Sequence, residues 1–159
     1  MRKRFAELVF DEMLHNENIV VITADLGYKM WDRVREIFPA RFFNCGAAEQ
    51  LAMGMAVGMA QEGKLPVVYS ITPFLLYRPF EIIRNYINWE KTKVILAGSG
   101  RDNDYSHDGH SHSASDDTRI VEASFWNMAI RKPIDELSLE ETWQHSLTDP
   151  RPYYINLKR

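Results

Sequence analysis

Ile19-Val20-Val21-Ile22-Thr23-Ala24-Asp25-Leu26-Gly27 is the stretch of sequence that decides the fold. Its first five residues form a continuous β-branched run, which is typical of a strand buried on both faces of a parallel sheet. The polar Asp25 and the turn residue Gly27 then end the run. In open parallel sheets, ligands bind just beyond the carboxyl ends of the strands, so Asp25 is a first candidate for a functional site.

Strand and helix patterns alternate along the rest of the chain. Ser138-Leu139-Glu140-Glu141 has the spacing of a capping box and predicts that the last helix opens at Ser138. The alternation predicts one α/β domain over residues 1–159, a three-layer sandwich with a mostly parallel central sheet and helices on both faces. Further strands are predicted over 42–45, 66–70, 93–97, 128–130 and 153–157, and helices over 5–13, 48–62 and 78–89.

The composition is that of an ordinary globular chain, with 159 residues, 45% of them hydrophobic and 26% charged. A net charge of -3 gives no basic excess that would favour nucleic acid as a partner. No apolar run approaches the ~18 residues of a membrane span. The single cysteine, Cys45, cannot form an internal disulfide, so a reducing cytoplasm is the expected location.

Polar residues follow several predicted strands, at Asp25, 46–49, 70–74 and 98–112. Because the carboxyl ends of parallel strands meet at one edge of a sheet, we expect these segments to converge there.

Glu49 stands out because it opens the predicted helix over 48–62. The ordinary interpretation is an acidic residue in a first helical turn, which the helix dipole stabilises by about 0.3–1 kcal/mol. The helix behind it is apolar on all sides, however, and such helices are usually buried. Burial favours a neutral carboxyl, so a buried Glu49 could share a proton with a ligand nitrogen. Gly54 and Gly58 lie four residues apart and leave one flat face for close packing.

Two further segments allow more than one interpretation. The aromatic residues of 69–78 are either core side chains beside a surface Arg78, or a stacking wall for a planar heterocycle. The loop over 98–117 is rich in His and Asp, and its length of about 20 residues favours a functional role. A zinc site from His107, His110 and His112 is one interpretation of this loop. A calcium loop starting at Asp102 is excluded, because its twelfth residue is Ser113 rather than Glu.

The chain resembles the pyrimidine-binding domain of transketolase and of deoxyxylulose-phosphate synthase. The most specific similarity is Phe38-Pro39-Ala40-Arg41-Phe42 followed by Gly46-Ala47-Ala48-Glu49-Gln50. Asp108-Gly109-His110-Ser111-His112 resembles the family's Asp-Gly-x-Thr-His, with Ser111 in place of Thr. The resemblance runs from Arg2 to Lys158 and implies the thiamine-diphosphate-binding fold.

The resemblance also implies thiamine diphosphate as the cofactor and a role for individual residues. Glu49 would hydrogen-bond the aminopyrimidine ring nitrogen and promote its imino tautomer, with His112 as a second catalytic residue. Phe74 and Tyr77 would stack on the cofactor. The residues implied to lie near the cofactor are Arg78 and Asp25, and those implied to face the substrate are Asp108, His112 and Arg2.

Departures from the family pattern define the expected partners. The Gly-Asp-Gly…Asn motif, which holds Mg²⁺ and the diphosphate in the family, does not occur in these 159 residues. The resemblance therefore implies a diphosphate-binding partner subunit that holds the Mg²⁺. It also implies self-association through pyrimidine domains into a hetero-oligomer, with the helix over 53–59 or its neighbours at the interface. An arginine that contacts the sugar phosphate in transketolases corresponds to Ala123 here, and Lys29 stands in place of a phosphate-contacting serine.

These observations lead to two main hypotheses of function. The first is the small subunit of a split transketolase-like enzyme that transfers a two-carbon ketol unit, or runs related acyloin chemistry, on a small ketose or keto acid. The second is a non-catalytic regulatory or structural partner that keeps the pyrimidine-domain fold. A metal-dependent hydrolase that uses the histidine-rich loop is a third.

Overall fold

The computed structural model describes residues 1–159 and contains a six-stranded sheet in the order β2-β1-β3-β4-β6-β5. All five strand pairs are parallel, as expected for an α/β fold. The strands are β1 (Ile19–Thr23), β2 (Phe42–Asn44), β3 (Leu65–Ile71), β4 (Ile95–Ser99), β5 (Ala129–Arg131) and β6 (Tyr153–Leu157).

The helices connect these parallel strands. They are α1 (Arg2–Met13), α2 (Asp32–Ile37), α3 (Glu49–Gln61), α4 (Thr72–Tyr77), α5 (Phe80–Ile82, continued by a π-helical segment over Ile83–Trp89), α6 (Asp117–Ser124) and α7 (Glu136–Thr148). Short 3₁₀ turns cover Pro39–Arg41, Ser106–Asp108 and His110–His112. None of the helices is both long enough and apolar enough to cross a membrane.

Alternating strand residues build two separate cores, one on each face of the sheet. In β1, Ile19 and Val21 pack into a core with α1, α2 and α7, whereas Ile22 packs into a core with α3, α4, α5 and α6. Most of the buried aromatic side chains lie in the first core, where Trp31 and Trp143 are both at most 2% exposed. The predicted three-layer sandwich is therefore confirmed.

The start of α7 differs from the sequence prediction. Its N-cap is Asp135, whose carboxylate accepts the Ser138 backbone N–H at 2.8 Å. The Ser138 hydroxyl accepts the Asp135 backbone N–H at 3.1 Å, which completes the capping box. The predicted box starting at Ser138 was wrong by one turn, because Ser138 fills the third helical position instead of the cap.

Other boundaries also differ. The helix predicted over 78–89 begins at Phe80, after Pro79, and runs to Trp89, with π-helical geometry from Ile83 onward. The loop predicted over 98–117 is shorter, since β4 continues to Ser99 and α6 begins at Asp117. Three short helices, α2, α4 and α6, were not predicted.

Helix α3 is not buried on all sides, contrary to the expectation. Its buried face consists of Glu49, Ala52, Met53, Ala56 and Val57. On the opposite side Leu51 is 56% exposed, and Gly54 and Gly58 are exposed as well. The apolar outer side of α3 therefore faces solvent in this chain.

Candidate functional site

A cavity of about 650 Å³ lies at the carboxyl edge of the sheet. Its walls include the loop after β1 and residues at the ends of β3 and β4. The strand order reverses between β1 and β3, and ligands of open α/β sheets bind at such a reversal. The lining residues that matter here are Arg2, Asp25, Lys29, Tyr69, Tyr105 and Arg159.

This cavity is strongly basic. Five cationic side chains line it against two acidic ones, Asp25 and Glu136. The Arg2 guanidinium donates a hydrogen bond to the Tyr105 hydroxyl at 3.1 Å, and that hydroxyl is 3.0 Å from Ser99 Oγ. Burial raises the pKa of Tyr69 on the cavity wall, so this phenol is neutral at physiological pH. Such a lining suits an anionic ligand.

Asp25 is held just beyond the carboxyl end of β1 by Asn44 of the neighbouring strand β2. Its backbone N–H donates to Asn44 Oδ1 at 2.9 Å, and its φ of 54° lies in the left-handed region. Asn44 also accepts the Gly46 N–H at 3.0 Å. One amide side chain therefore fixes both the loop after β1 and the turn that leads to α3.

A second group of side chains lies around Glu49, the first residue of α3. Its side chain is only 6% exposed, yet Arg78 Nη1 donates to Oε1 at 2.6 Å. Arg78 is 47% exposed, so this ion pair is covered on one side and open on the other. The Glu49 carboxyl is therefore buried, as expected, and its negative charge is paired with the positive charge of Arg78.

Phe74 of α4 completes this group. The Arg78 guanidinium carbon lies 3.8 Å from the Phe74 ring centroid, and the His112 ring meets the same ring edge-on at 4.9 Å. We call Glu49, Phe74, Arg78 and His112 the Glu49 cluster. Residues from three predicted strand ends therefore converge, as the sequence suggested.

Tyr77 is held by an acid that the sequence analysis did not single out. Its hydroxyl donates to Asp116 Oδ1 at 2.6 Å, and burial together with this bond raises the pKa of Tyr77 well above its usual value. Next to it, the buried Asp117 accepts the Tyr154 hydroxyl at 2.6 Å and is also bonded by the Asn156 amide. These bonds tie α4 and β6 to the start of α6.

Asp108 and the histidines of the same loop lie in the two 3₁₀ turns that follow β4. Asp108 is exposed, and its carboxylate lies 3.3 Å from His107 Nε2. His112 Nδ1 is 3.0 Å from the Ser111 hydroxyl. His107, His110 and His112 do not form a metal-binding group, since no three potential ligands of this kind come together. The arrangement of these residues therefore gives the zinc interpretation no support.

The chain is an open parallel α/β domain with a buried acid and an aromatic ring beyond the carboxyl ends of its strands. Domains of this class bind their ligands at that edge of the sheet. A family model described as the pyrimidine binding domain of transketolase matches residues 1–159, and the chain belongs to this family.

Individual relatives agree with this assignment. The chain is 33% identical over 160 residues to a provisionally named transketolase C-terminal section of Methanocaldococcus jannaschii, covering 100% of this chain and 50% of that protein. It is 26% identical over 160 residues to a 6-deoxy-6-sulfo-D-fructose transketolase subunit of a Clostridium species, covering 100% of this chain and 49% of that subunit. A solved structure described as the inactive β4 tetramer of a split-gene transketolase superposes with a TM-score of 0.85 at 31% identity, covering 99% of this chain and 51% of that one. The chain thus spans about half the length of these relatives.

Proposed function

We propose that this chain supplies the aminopyrimidine-binding half of a thiamine diphosphate-dependent, transketolase-like enzyme. The reaction is the transfer of a two-carbon ketol unit or related acyloin chemistry. The observation that carries the proposal is the buried Glu49 carboxylate at the start of α3, whose partner Arg78 lies over the Phe74 ring.

The residues of the Glu49 cluster fit the pyrimidine half of the cofactor. A planar, nitrogen-rich cation already stacks on Phe74 and donates to Glu49, because the Arg78 guanidinium does both. An aminopyrimidine offers the same combination of a flat face and N–H donors. When bound, thiamine diphosphate supplies the nucleophilic carbon for the reaction.

Each residue of this edge then has a defined task. Glu49 hydrogen-bonds the pyrimidine ring nitrogen and shares a proton with it, and Phe74 and Tyr77 keep the ring in plane. Arg78 and Asp25 border the cofactor. His112, in edge contact with Phe74, faces the substrate and moves protons at its hydroxyl groups, with Asp108 nearby in the same loop.

The diphosphate and Mg²⁺ belong to a partner in this proposal. A diphosphate-binding subunit carries the Gly-Asp-Gly…Asn motif and completes the active site, while copies of this chain associate through their pyrimidine domains. The relatives support this arrangement, because one is described as a transketolase subunit and another as a β4 tetramer. We place the hetero-oligomer in the cytoplasm, where the unpaired Cys45 thiol would stay reduced.

The basic cavity indicates the substrate. We propose a small ketose or keto acid whose negative charge pairs with Arg2 and Lys29. Ala123 stands where the transketolase pattern has an arginine that contacts the sugar phosphate. The acidic group of the substrate would therefore be bound by other cationic side chains than those that bind sugar phosphates in transketolases.

The experiment is reconstitution with the diphosphate-binding subunit. Thiamine diphosphate binding is measured by calorimetry with Mg²⁺ present, and ketol transfer is measured on the same complex. Glu49→Gln is expected to weaken binding at least tenfold and to lower kcat by about 10²-fold or more, because proton transfer by a positioned side chain contributes that much. Glu62→Gln, an exposed acid just beyond the other end of the same helix, is the matched control and should change neither.

A complex that forms normally but binds no cofactor, or that is indifferent to Glu49→Gln, would support the second hypothesis instead. The chain would then be a non-catalytic partner that retains the fold.

A further inference from the structure

We infer that Arg78 occupies the place of the aminopyrimidine in the unliganded chain, and that a ligand reaches Glu49 only by displacing this guanidinium. The inference rests on the proposed function and adds to it the displacement step that frees Glu49 for the ligand. It concerns the Glu49 cluster alone and requires no contribution from the diphosphate-binding half.

The first argument is chemical similarity. A guanidinium is a planar, delocalised cation that stacks on aromatic rings and donates N–H groups to carboxylates. Arg78 makes both contacts at once, lying 3.8 Å from the Phe74 centroid and 2.6 Å from Glu49 Oε1. An aminopyrimidine would use the same ring and the same carboxylate, so the two groups cannot be bound together.

The second argument is the difference in exposure between the two partners. Glu49 is 6% exposed, whereas Arg78 is 47% exposed. Arg78 can therefore exchange its bond for water by rotating outward, but Glu49 cannot. A buried carboxylate that loses its partner carries a large desolvation cost, so whatever displaces Arg78 has to bring either an N–H donor or a ring nitrogen that shares a proton with Glu49. This requirement selects for nitrogen heterocycles and against neutral, apolar aromatic rings.

The third argument is the anchoring of Arg78. Its backbone carbonyl accepts a weak bond from Gln50 Nε2 at 3.3 Å, and its guanidinium has no acceptor other than Glu49. The backbone of α4 is held separately through the Tyr77–Asp116 bond. The side chain can thus leave while Phe74 stays in place.

The test uses thiamine, which carries the pyrimidine but no diphosphate, as a probe of the isolated chain by calorimetry. Arg78→Ala is expected to bind thiamine about tenfold more tightly than the wild type, because the ligand no longer competes with a charge-assisted hydrogen bond. Methylguanidinium should bind to Arg78→Ala and compete with thiamine there. Both gains should disappear in the double variant Arg78→Ala/Glu49→Gln. Arg84→Ala, which removes an exposed arginine of the π-helical segment after α5, is the control and should bind as the wild type does.

A second measurement uses the wild type, so that the test does not depend on the folding of the variants. The Arg78 Nε–H resonance is followed by NMR as thiamine is added, and it should move toward the position of a solvated guanidinium. A resonance that stays unchanged at saturating thiamine would overturn the inference, as would equal or weaker binding by a folded Arg78→Ala, or no thiamine binding by either protein.

The outcomes also separate this inference from the proposed function. A reconstituted complex with Glu49-dependent cofactor binding, together with an Arg78→Ala affinity that does not rise, would refute only the displacement step. Glu49-dependent binding of methylguanidinium to Arg78→Ala, in a chain whose complex takes no thiamine diphosphate, would refute the proposed function and the displacement by pyrimidine alike.

Discussion

Gly98 of β4 shows how tightly single residues are constrained beneath the site. A Cβ at this position would lie 2.7 Å from Thr72 Oγ1 and 3.0 Å from Tyr154 Cε2. Both neighbours are fully buried, and Tyr154 is held by Asp117, so neither can move aside cheaply. Gly98 therefore allows the first residue of α4 to pack directly on the sheet.

Substitution of this glycine tests the packing. Gly98→Ala is expected to lower the free energy of unfolding by about 1–3 kcal/mol, the usual cost of overpacking a core. Gly54→Ala on the open side of α3, where no atom lies within 4 Å, should instead stabilise the chain by about 0.5–1 kcal/mol. Urea denaturation of both variants measures the difference, and equal effects would contradict the close contact.

The candidate site was predictable from the sequence at some residues and not at others. Glu49 is recognisable because an acid opens an apolar helix just after a turn, and Phe74 because it follows a strand end. The Arg78–Glu49 pair and the Tyr77–Asp116 bond join residues 29 and 39 positions apart. No local pattern encodes such pairs, since they depend on how α3, α4 and α6 pack together.

Among the elements, α7 has an N-terminal cap whose contribution to stability depends on pH. Hydrogen bonds from the Ser138 hydroxyl and backbone N–H lower the pKa of the exposed Asp135 carboxyl below its ordinary value of 3.8. A carboxyl with a lowered pKa in the folded state adds stability above its unfolded pKa and loses it as the pH falls through the folded value. The cap is therefore fully effective at neutral pH.

Thermal denaturation between pH 7 and pH 3 checks this cap. Asp135→Ala should lower Tm at pH 7, and its difference from the wild type should shrink as the pH falls below 3.8. Asp135→Asn keeps an acceptor without the charge, so its Tm at pH 7 should lie between those of the alanine variant and the wild type, and its difference from the alanine variant should not change with pH. A wild-type-to-alanine difference that is independent of pH would refute the role of the charge.

Elements were predicted best where burial is uniform. All five residues of β1, β4 and β6 are buried, and continuous apolar runs reveal such strands. Helices α2 and α6 have six and eight residues, too few for a helical period to stand out. The cap of α7 was placed one turn too late because Ser138 begins a capping-box pattern of its own, whereas in the structure it pairs with Asp135.

At the scale of the whole molecule, the open side of α3 is the surface on which we expect self-association. Leu51 is 56% exposed there, and the neighbouring Gly54 and Gly58 permit close approach of another helix. Gly58→Glu should shift the chain toward the monomer in light scattering, because a charge would be buried at the contact. Leu137→Glu, on an exposed apolar residue of α7 across the sheet, is the control and should leave the mass unchanged. A wild type that is purely monomeric would contradict this expectation.

The two outermost strands, β2 and β5, have only three residues each. So few free backbone donors and acceptors give an incoming strand little to pair with, and short borders of this kind suppress sheet-to-sheet aggregation. Growth of the sheet from one copy into the next is therefore disfavoured. We therefore expect copies of this chain to associate through helices and loops, and not by joining their sheets into one.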